Sequence, residues 1–303
     1  MAAPINNWSF QLKDDQVITK IMIRHGFIVD GIGFEITGSV GKTVEWFTGS
    51  GGSLSEIPLS VGEKITHISG STGTYYEEIC ITTIKIYTTL RPEGYGPYGE
   101  ARAANNVTPF STPLALDGSI VGFLGSNGQY LNSIGIYNAR NIIKEHGPFG
   151  NKESGQKWQI ELNDGERFSK VFIKHGFIVD GIGFEVSSPT GKISTQMFSG
   201  PGGDTSEIDL DEKEYMTQVS GEYGKYFNQD IRIASITIYT NLKVYGPYGR
   251  GEQVTEAKPF STPVPLEGTT IFGFNGSYGT YLNSIGLSDK YKKVDTYGPF
   301  GRA

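Results

Sequence analysis

The chain has 303 residues and a net charge of −6, with 32 acidic against 26 basic residues, 42 glycines and a single cysteine. The acidic excess argues against binding to the phosphate backbone of nucleic acids, and one cysteine excludes a disulfide within the chain. This length fits two domains or one large all-β domain. Plentiful Val, Ile, Leu, Phe and Tyr beside the glycines indicate a turn-rich folded protein.

The N-terminal stretch MAAPINNWSFQLKDDQ has no charged segment followed by an apolar one, as a secretory signal peptide would have. No apolar run in the chain approaches the length of a membrane span. We therefore expect a cytoplasmic or nucleocytoplasmic protein that does not contact membranes.

Short runs along the chain alternate apolar and polar residues, such as ITKIMIRH at residues 18–25. Glycine-rich turns, such as TGSGGS at residues 48–53, separate these runs. This pattern is typical of antiparallel strands, and no window shows helical periodicity. Cys80 lies in one of these runs, where we expect a buried thiol. Its neighbours Glu77 and Glu78 are expected to be solvated and to point to opposite faces of a strand edge.

The first half of the chain repeats in the second half. HGFIVDGIGFE occupies residues 25–35 and 175–185, and GQYLNSIG at residues 128–135 returns as GTYLNSIG at residues 279–286. We predict two homologous domains, residues 1–144 and 145–303. The segment at residues 297–303 resembles the start of a further repeat.

Each half contains three units of about fifty residues. An isoleucine in a similar apolar run marks each unit: Ile32, Ile84 and Ile134 in the first half, and Ile182, Ile236 and Ile285 in the second. Three equivalent antiparallel units predict an all-β sheet assembly around a pseudo-threefold axis, with its loops gathered at the ends. Such loops are natural binding positions.

Several motifs keep one order in both halves: HGFIVDGIGFE, the TGSGG or SGPGG turn, YGPYG before PFSTP, and YLNSIG near the close. Together with GPFG, which opens a repeat, they resemble tandem jacalin-related lectin domains over essentially the whole chain. The resemblance implies two β-prism I domains, each of three four-stranded antiparallel Greek-key sheets. It also implies binding of mannose-, glucose- or galactose-type sugars, with no metal, no cofactor and usually no catalysis.

In this family the sugar lies between a glycine-rich loop near the domain start and a G-x-x-x-D loop near its end. The late loops here carry Asn132 and Asn283 where the family pattern has Asp, and an amide offers one acceptor oxygen instead of two. The early loop of the second domain begins at Gly147 and has few adjacent glycines. The first domain begins without such a loop, and GPFGRA at residues 298–303 either reaches back to complete it or is a remnant of a repeat boundary.

GFIVD at residues 26–30 and 176–180 is itself a G-x-x-x-D motif that keeps its carboxylate. In the banana lectin branch of the family, the equivalent loop forms a second mannose site with a glycine loop of the neighbouring sheet. The alternative is an Asp that only bonds backbone groups at a turn. The candidate carbohydrate-binding residues are Gly128, Gln129, Tyr130, Asn132, Gly279, Thr280, Tyr281, Asn283, Gly147, Gly26, Asp30, Gly51, Gly52, Gly176, Asp180, Gly202 and Gly203.

These features predict a lectin for mannose- or glucose-type glycans or glycoproteins, whose weak sites gain from multivalency. One alternative is a lectin-fold scaffold that has lost sugar binding and recruits a protein partner or modulates a partner enzyme. A further alternative is a pocket that acts on a small metabolite, with Asn132, Tyr130 and His25 as its first candidates. His25 and His175 lie in different domains without other ligands at metal-binding spacing. Homo-oligomerisation stays open.

Overall fold

The computed structural model describes residues 4–49, 51–115, 120–264 and 269–302. These residues form strands and turns, and none of them belongs to a helix that could cross a membrane. The strands of the first half are β1 (Asn6–Gln11), β2 (Val17–His25), β3 (Val29–Gly38), β4 (Gly41–Thr48), β5 (Ser53–Pro58), β6 (Ile65–Tyr75), β7 (Glu78–Thr88), β8 (Tyr95–Tyr98), β9 (Asn105–Ser111), β10 (Ile120–Asn127) and β11 (Leu131–Gly150). Those of the second half are β12 (Gln156–Glu161), β13 (Arg167–His175), β14 (Val179–Ser187), β15 (Ile193–Ser199), β16 (Asp204–Asp209), β17 (Met216–Tyr226), β18 (Ile231–Thr240), β19 (Val244–Tyr248), β20 (Val254–Ser261), β21 (Thr269–Tyr278) and β22 (Leu282–Gly301).

The chain divides into two compact units. Unit 1 comprises residues 1–140 and 293–303, and unit 2 comprises residues 141–292. The long strands β11 and β22 cross this division, so that each contributes one part to each unit.

Two sheets of each unit have the strand order of a Greek key, in which the fourth strand returns to lie beside the first. In unit 1 the orders are β4-β3-β2-β5 and β8-β7-β6-β9, and in unit 2 they are β15-β14-β13-β16 and β19-β18-β17-β20. The third sheet of unit 1 has the order β1-β10-β11-β22, and that of unit 2 has the order β12-β21-β22-β11. Three four-stranded antiparallel sheets per unit confirm the predicted β-prism I fold.

The strand at the end of the chain lies in unit 1. The sequence assigns residues 145–303 to the second domain, whereas residues from 293 onward lie in unit 1. The Phe300 ring stacks on Phe110 with centroids 4.7 Å apart, and the Arg302 N–H donates to the Asn132 carbonyl at 3.1 Å. The GPFG segment at the end of the chain thus supplies the fourth strand of the third sheet of unit 1.

The core of each unit forms where its three sheets meet. In unit 1, Phe34 of β3 stacks on Phe123 of β10 with ring centroids 4.5 Å apart; in unit 2, Phe184 of β14 stacks on Phe274 of β21 at 4.6 Å. The isoleucines that mark the three units of each half are all buried: Ile32, Ile84, Ile134, Ile182, Ile236 and Ile285. Their burial confirms the pseudo-threefold pattern, and Cys80 is likewise fully buried, as predicted.

Candidate functional site

A tight turn between β2 and β3 carries the aspartate of the first GFIVD motif. The Gly26 N–H donates to the Ile28 carbonyl at 2.9 Å and closes the turn. Asp30, the second residue of β3, is 7% exposed. A Cβ added to Gly26 would meet no atom within 4 Å. The motif therefore combines a nearly buried carboxylate with open space above the glycine of the same turn.

The glycine-rich turn after β4 encloses this carboxylate. A Cβ on Gly51 would overlap Asp30 Oδ1, and one on Gly52 would lie 2.5 Å from Oδ2. Gly52 also has a φ of +76°, which glycine adopts without strain. The Gly49 N–H donates to the Asp30 carbonyl at 3.1 Å and ties the two loops together. The structure thus brings Asp30, Gly51 and Gly52 together, whereas Ser50 lies outside the described residues.

Unit 2 repeats this arrangement around Asp180, which is 6% exposed. The Gly176 N–H donates to the Ile178 carbonyl at 2.9 Å. A Cβ on Gly202 would lie 2.9 Å from Asp180 Oδ1, and one on Gly203, where φ is +78°, would lie 2.6 Å from Oδ2. The two GFIVD sites therefore share one geometry.

Neither carboxylate has a partner in the part of the chain that the structure describes: no hydrogen bond or ion pair reaches the side chain of Asp30 or Asp180. Burial raises the pKa of the Asp30 carboxyl, against the opposing charges of His25 and Arg24. Burial likewise raises the pKa of the Asp180 carboxyl, against the charges of Lys174 and His175. At this depth an ionised carboxylate keeps only part of its hydration, and a ligand that supplies donors would offset that loss.

The histidines beside these sites are already engaged. His25 Nε2 lies 2.8 Å from the Ser55 hydroxyl, and His175 Nε2 lies 2.8 Å from the Ser206 hydroxyl. Among the described residues there is no cluster of three or more His, Cys, Asp or Glu side chains that could hold a metal ion.

The late loops place their asparagines in the interior. Asn283 is 2% exposed, and its Nδ2 donates to the Ser154 carbonyl at 2.8 Å. Asn132 is 0% exposed, and its Nδ2 donates to the Ile79 carbonyl at 3.0 Å. Both amides therefore serve as donors to the chain itself in this conformation. Gly147, predicted to begin the early loop of the second domain, lies within β11, where a Cβ would approach the Ile285 carbonyl at 3.1 Å.

The late loops nevertheless border the GFIVD sites through their backbone. A Cβ on Gly49 would overlap the carbonyl of the exposed Gln129, and one on Gly200 would overlap that of the exposed Thr280. The Gly128 N–H donates to the Tyr130 carbonyl at 3.1 Å, which repeats the hydrogen bond of the GFIVD turn.

The second late loop has the same turn, because the Gly279 N–H donates to the Tyr281 carbonyl at 2.9 Å. In each unit the late loop and the glycine-rich turn thus form one continuous rim.

Aromatic side chains at a hairpin tip add to this rim. The Tyr130 ring contacts Tyr75 of β6 edge-on with centroids 5.4 Å apart, and Tyr76 next to it is 78% exposed with a φ of +43°. Sequence reasoning missed this hairpin. The sequence signal that marks it is a pair of adjacent aromatic residues at the same place in both halves, Tyr75 with Tyr76 and Tyr226 with Phe227.

The same hairpin recurs in unit 2. The Tyr281 ring contacts Tyr226 at 5.3 Å, and Phe227 is 54% exposed with a φ of +49°. An aromatic face of this kind packs against the apolar side of a flat, hydroxylated ligand.

The prediction for the two adjacent glutamates of this hairpin is wrong for one of them. Glu77 is exposed with a φ of +68°, whereas Glu78, the first residue of β7, is 9% exposed. The left-handed turn at residues 76 and 77 ends before Glu78, so that Glu78 already belongs to the inward-facing register of the strand.

Comparison with known proteins agrees with this architecture. The model of the Jacalin-like lectin domain matches residues 6–137 and 146–288. A mannose/glucose-specific lectin of Parkia pendula is 32% identical over 245 residues, which covers 77% of this chain and 50% of the relative. An agglutinin of Castanea crenata is 29% identical over 262 residues, which covers 80% of each chain.

The chain spans half the length of the Parkia relative that it matches. Among solved structures, wild-type Malaysian banana lectin is 30% identical, with a TM-score of 0.43 over 49% of this chain and 98% of that chain.

Proposed function

Because the chain belongs to the family of Jacalin-like lectin domains, we propose that it binds carbohydrates at the two matching sites around Asp30 and Asp180. The observation that supports this proposal is a nearly buried carboxylate, without a partner among the described residues, inside a cradle of two glycines. The arrangement occurs once in each unit.

The chemistry of these sites suits a sugar. An ionised Asp accepts short, charge-assisted hydrogen bonds from two neighbouring hydroxyls of one ring. The glycines leave room for the ring to approach the backbone closely, and the space above Gly26 is open. The hairpin aromatics beside the rim offer an apolar surface for the face of the ring.

The names of the relatives support mannose- or glucose-type glycans as the ligands. Affinity at one shallow site is expected to be weak, because few groups contact the sugar. Two sites on one chain raise the overall affinity for a branched glycan that reaches both of them.

Calorimetric titration of the chain with mannose and with galactose tests the proposal. We expect two mannose sites per chain, and Asp30→Asn or Asp180→Asn should each remove one of them. Loss of a charge-assisted hydrogen bond weakens binding by about ten- to a hundredfold. Glu45→Gln on the exposed surface of β4 is the matched control and should bind as wild type. Two intact sites in the Asp30→Asn, Asp180→Asn double variant would refute the proposed location.

The buried amides of the late loops favour a second candidate function. If Asn132 and Asn283 close the sugar sites between the early and late loops of both units, the chain acts as a scaffold that binds a protein partner. A partner that remains bound in a pull-down despite excess free mannose, and despite Asp30→Asn with Asp180→Asn, would favour the scaffold. Release by mannose would favour a lectin that recognises a glycoprotein.

A further inference from the structure

A cavity of about 240 Å³ opens at one end of unit 2. The described residues that line it all belong to that unit. It lies where β12 ends and where β13, β17 and β21 begin, so that every sheet of the unit borders it.

The cavity and the proposed sugar site lie at opposite ends of one strand. β13 begins at Arg167 beside the cavity and ends at His175, which adjoins the GFIVD turn. A strand rises about 3.3 Å per residue, so about 25 Å separates the two places. The sugar around Asp180 therefore leaves this cavity free.

The floor of the cavity is apolar. Its side chains are those of Phe168, Leu210, Met216, Ile271 and Phe272, and each of these residues is between 3% and 8% exposed. An apolar cavity of about 150 Å³ holds benzene. The cavity of unit 2 therefore has room for an aromatic ring with a short substituent.

Two cations line the same cavity. Arg167 Nη1 donates to two main-chain carbonyls at 3.4 and 3.2 Å. The Lys290 ammonium lies 5.3 Å from the centre of the Phe272 ring and 3.6 Å from the carboxylate of the fully exposed Asp164. Carbonyls carry no net charge and an exposed ion pair contributes little, so both cations keep most of their attraction for an anion.

The two carboxylates that line the cavity already accept hydrogen bonds from the chain. Glu214 Oε1 accepts from the Thr240 hydroxyl at 2.7 Å and from the Tyr245 hydroxyl at 3.0 Å. Glu166 Oε2 accepts from the Asn163 N–H at 2.9 Å. The carboxylates are thus engaged, whereas the guanidinium and the ammonium have further donors for a ligand.

The corresponding end of unit 1 lacks both cations. Val17 begins β2 as Arg167 begins β13, and Ala139 follows the first YLNSIG motif at the same distance as Lys290 follows the second. Unit 1 therefore offers an internal comparison in which the charges are missing.

We propose that the cavity of unit 2 binds a small aromatic carboxylate. The ring packs on the apolar floor and so leaves water. The carboxylate accepts charge-assisted hydrogen bonds from Arg167, whose planar fork matches it, and from Lys290. This inference goes beyond the proposed function, because it concerns the other end of the unit and does not depend on sugar binding.

Calorimetric titration of the intact chain with phenylacetate at pH 7 tests the site, with phenylacetamide and acetate as matched probes. We expect phenylacetate to bind one site per chain. Phenylacetamide has the same shape without the charge and should bind about tenfold more weakly. Acetate lacks the ring and should also bind more weakly than phenylacetate. Equal affinity for phenylacetate and its amide would overturn the inference, and so would absence of phenylacetate binding.

Arg167→Val and Lys290→Ala introduce the residues of unit 1, and each should weaken phenylacetate binding about tenfold. Lys225→Ala is the matched control, because it removes the same charge from a surface ion pair with Glu256 and should bind as wild type does.

Thermal melting shows whether each variant folds, and the comparison of acid with amide in wild type tests the inference without any variant. Phenylacetate binding that is unchanged in the Arg167→Val, Lys290→Ala double variant would overturn the inference. Absence of mannose binding in wild type would refute the proposed function and leave this site untouched.

Discussion

The Asn283 amide and the Ser154 carbonyl, 2.8 Å apart, hold the early loop of unit 2 against its late loop. The Asn151 N–H donates to the Asn283 carbonyl at 2.8 Å and fixes the same contact from the backbone side. Asn283 is therefore a donor within the protein at the place where the family pattern has an acceptor. A carboxylate there would face the Ser154 carbonyl with no proton between the two oxygens.

Asn283→Asp should consequently destabilise unit 2 instead of restoring a sugar site. Loss of a buried donor and repulsion between two oxygens cost about 1–3 kcal/mol in the free energy of unfolding. Chemical denaturation measures this change. Asn228→Asp is the matched control, because Asn228 Oδ1 accepts from the Thr255 hydroxyl and a carboxylate keeps that role. An Asn283→Asp variant that is as stable as wild type and binds mannose more tightly would contradict this account.

The carboxyl of Asp30 links stability to pH. Burial raises its pKa above the usual value of 3.8, so the folded chain holds this proton more tightly than the unfolded chain does. The favourable contribution is complete below pH 3.8 and is lost as pH rises through the folded pKa. Asp30→Asn should therefore raise the melting temperature at pH 7, and the gain over wild type should shrink toward pH 3. A gain that is equal at both pH values would show that ionisation is not the cause.

The Phe300 ring should stabilise the packing of the end of the chain in unit 1. Its ring stacks on Phe110, and Phe300→Ala should lower the free energy of unfolding of unit 1 by about 1–2 kcal/mol, since the ring is only partly buried. Phe149→Ala removes the equivalent stack on Phe260 in unit 2 and is the internal comparison. Hydrogen exchange measures the stability of each unit separately. Unchanged exchange in β10 and β11 of Phe300→Ala would show that the tail contributes nothing.

The repeat pattern alone predicts much of this fold. Isoleucines at equivalent places of three units, such as Ile32, Ile84 and Ile134, imply three sheets that share a core, and all three are buried. The G-x-x-x-D motif and the glycine-rich turn also identify Asp30 with Gly51 correctly as neighbours, because both features depend on local backbone geometry.

Contacts between distant segments could not be predicted in the same way. The stacking of Phe300 on Phe110 depends on which strand completes the sheet of unit 1. The residue types at these two positions do not indicate which strand that is. The burial of Glu78 depends on the left-handed turn before it, because this turn determines which residues of β7 point inward. The alternation of apolar and polar residues alone does not predict where the turn ends. The Asn283 contact with Ser154 requires the closed shape of a loop that lacks any repeat in the first half.

Gly26 and Gly51 should respond differently to alanine, and the contrast tests where the sugar lies. A Cβ on Gly51 would overlap the Asp30 carboxylate, so Gly51→Ala should lower both stability and mannose binding. A Cβ on Gly26 would meet no atom of the described chain, and replacing a glycine whose backbone alanine tolerates stabilises a protein by about 0.4–1 kcal/mol. Gly26→Ala should therefore melt at or above the wild-type temperature and still bind mannose more weakly at unit 1, because its methyl group occupies the space proposed for the ring. If Gly26→Ala binds mannose as tightly as wild type does, the sugar does not lie at the GFIVD turn.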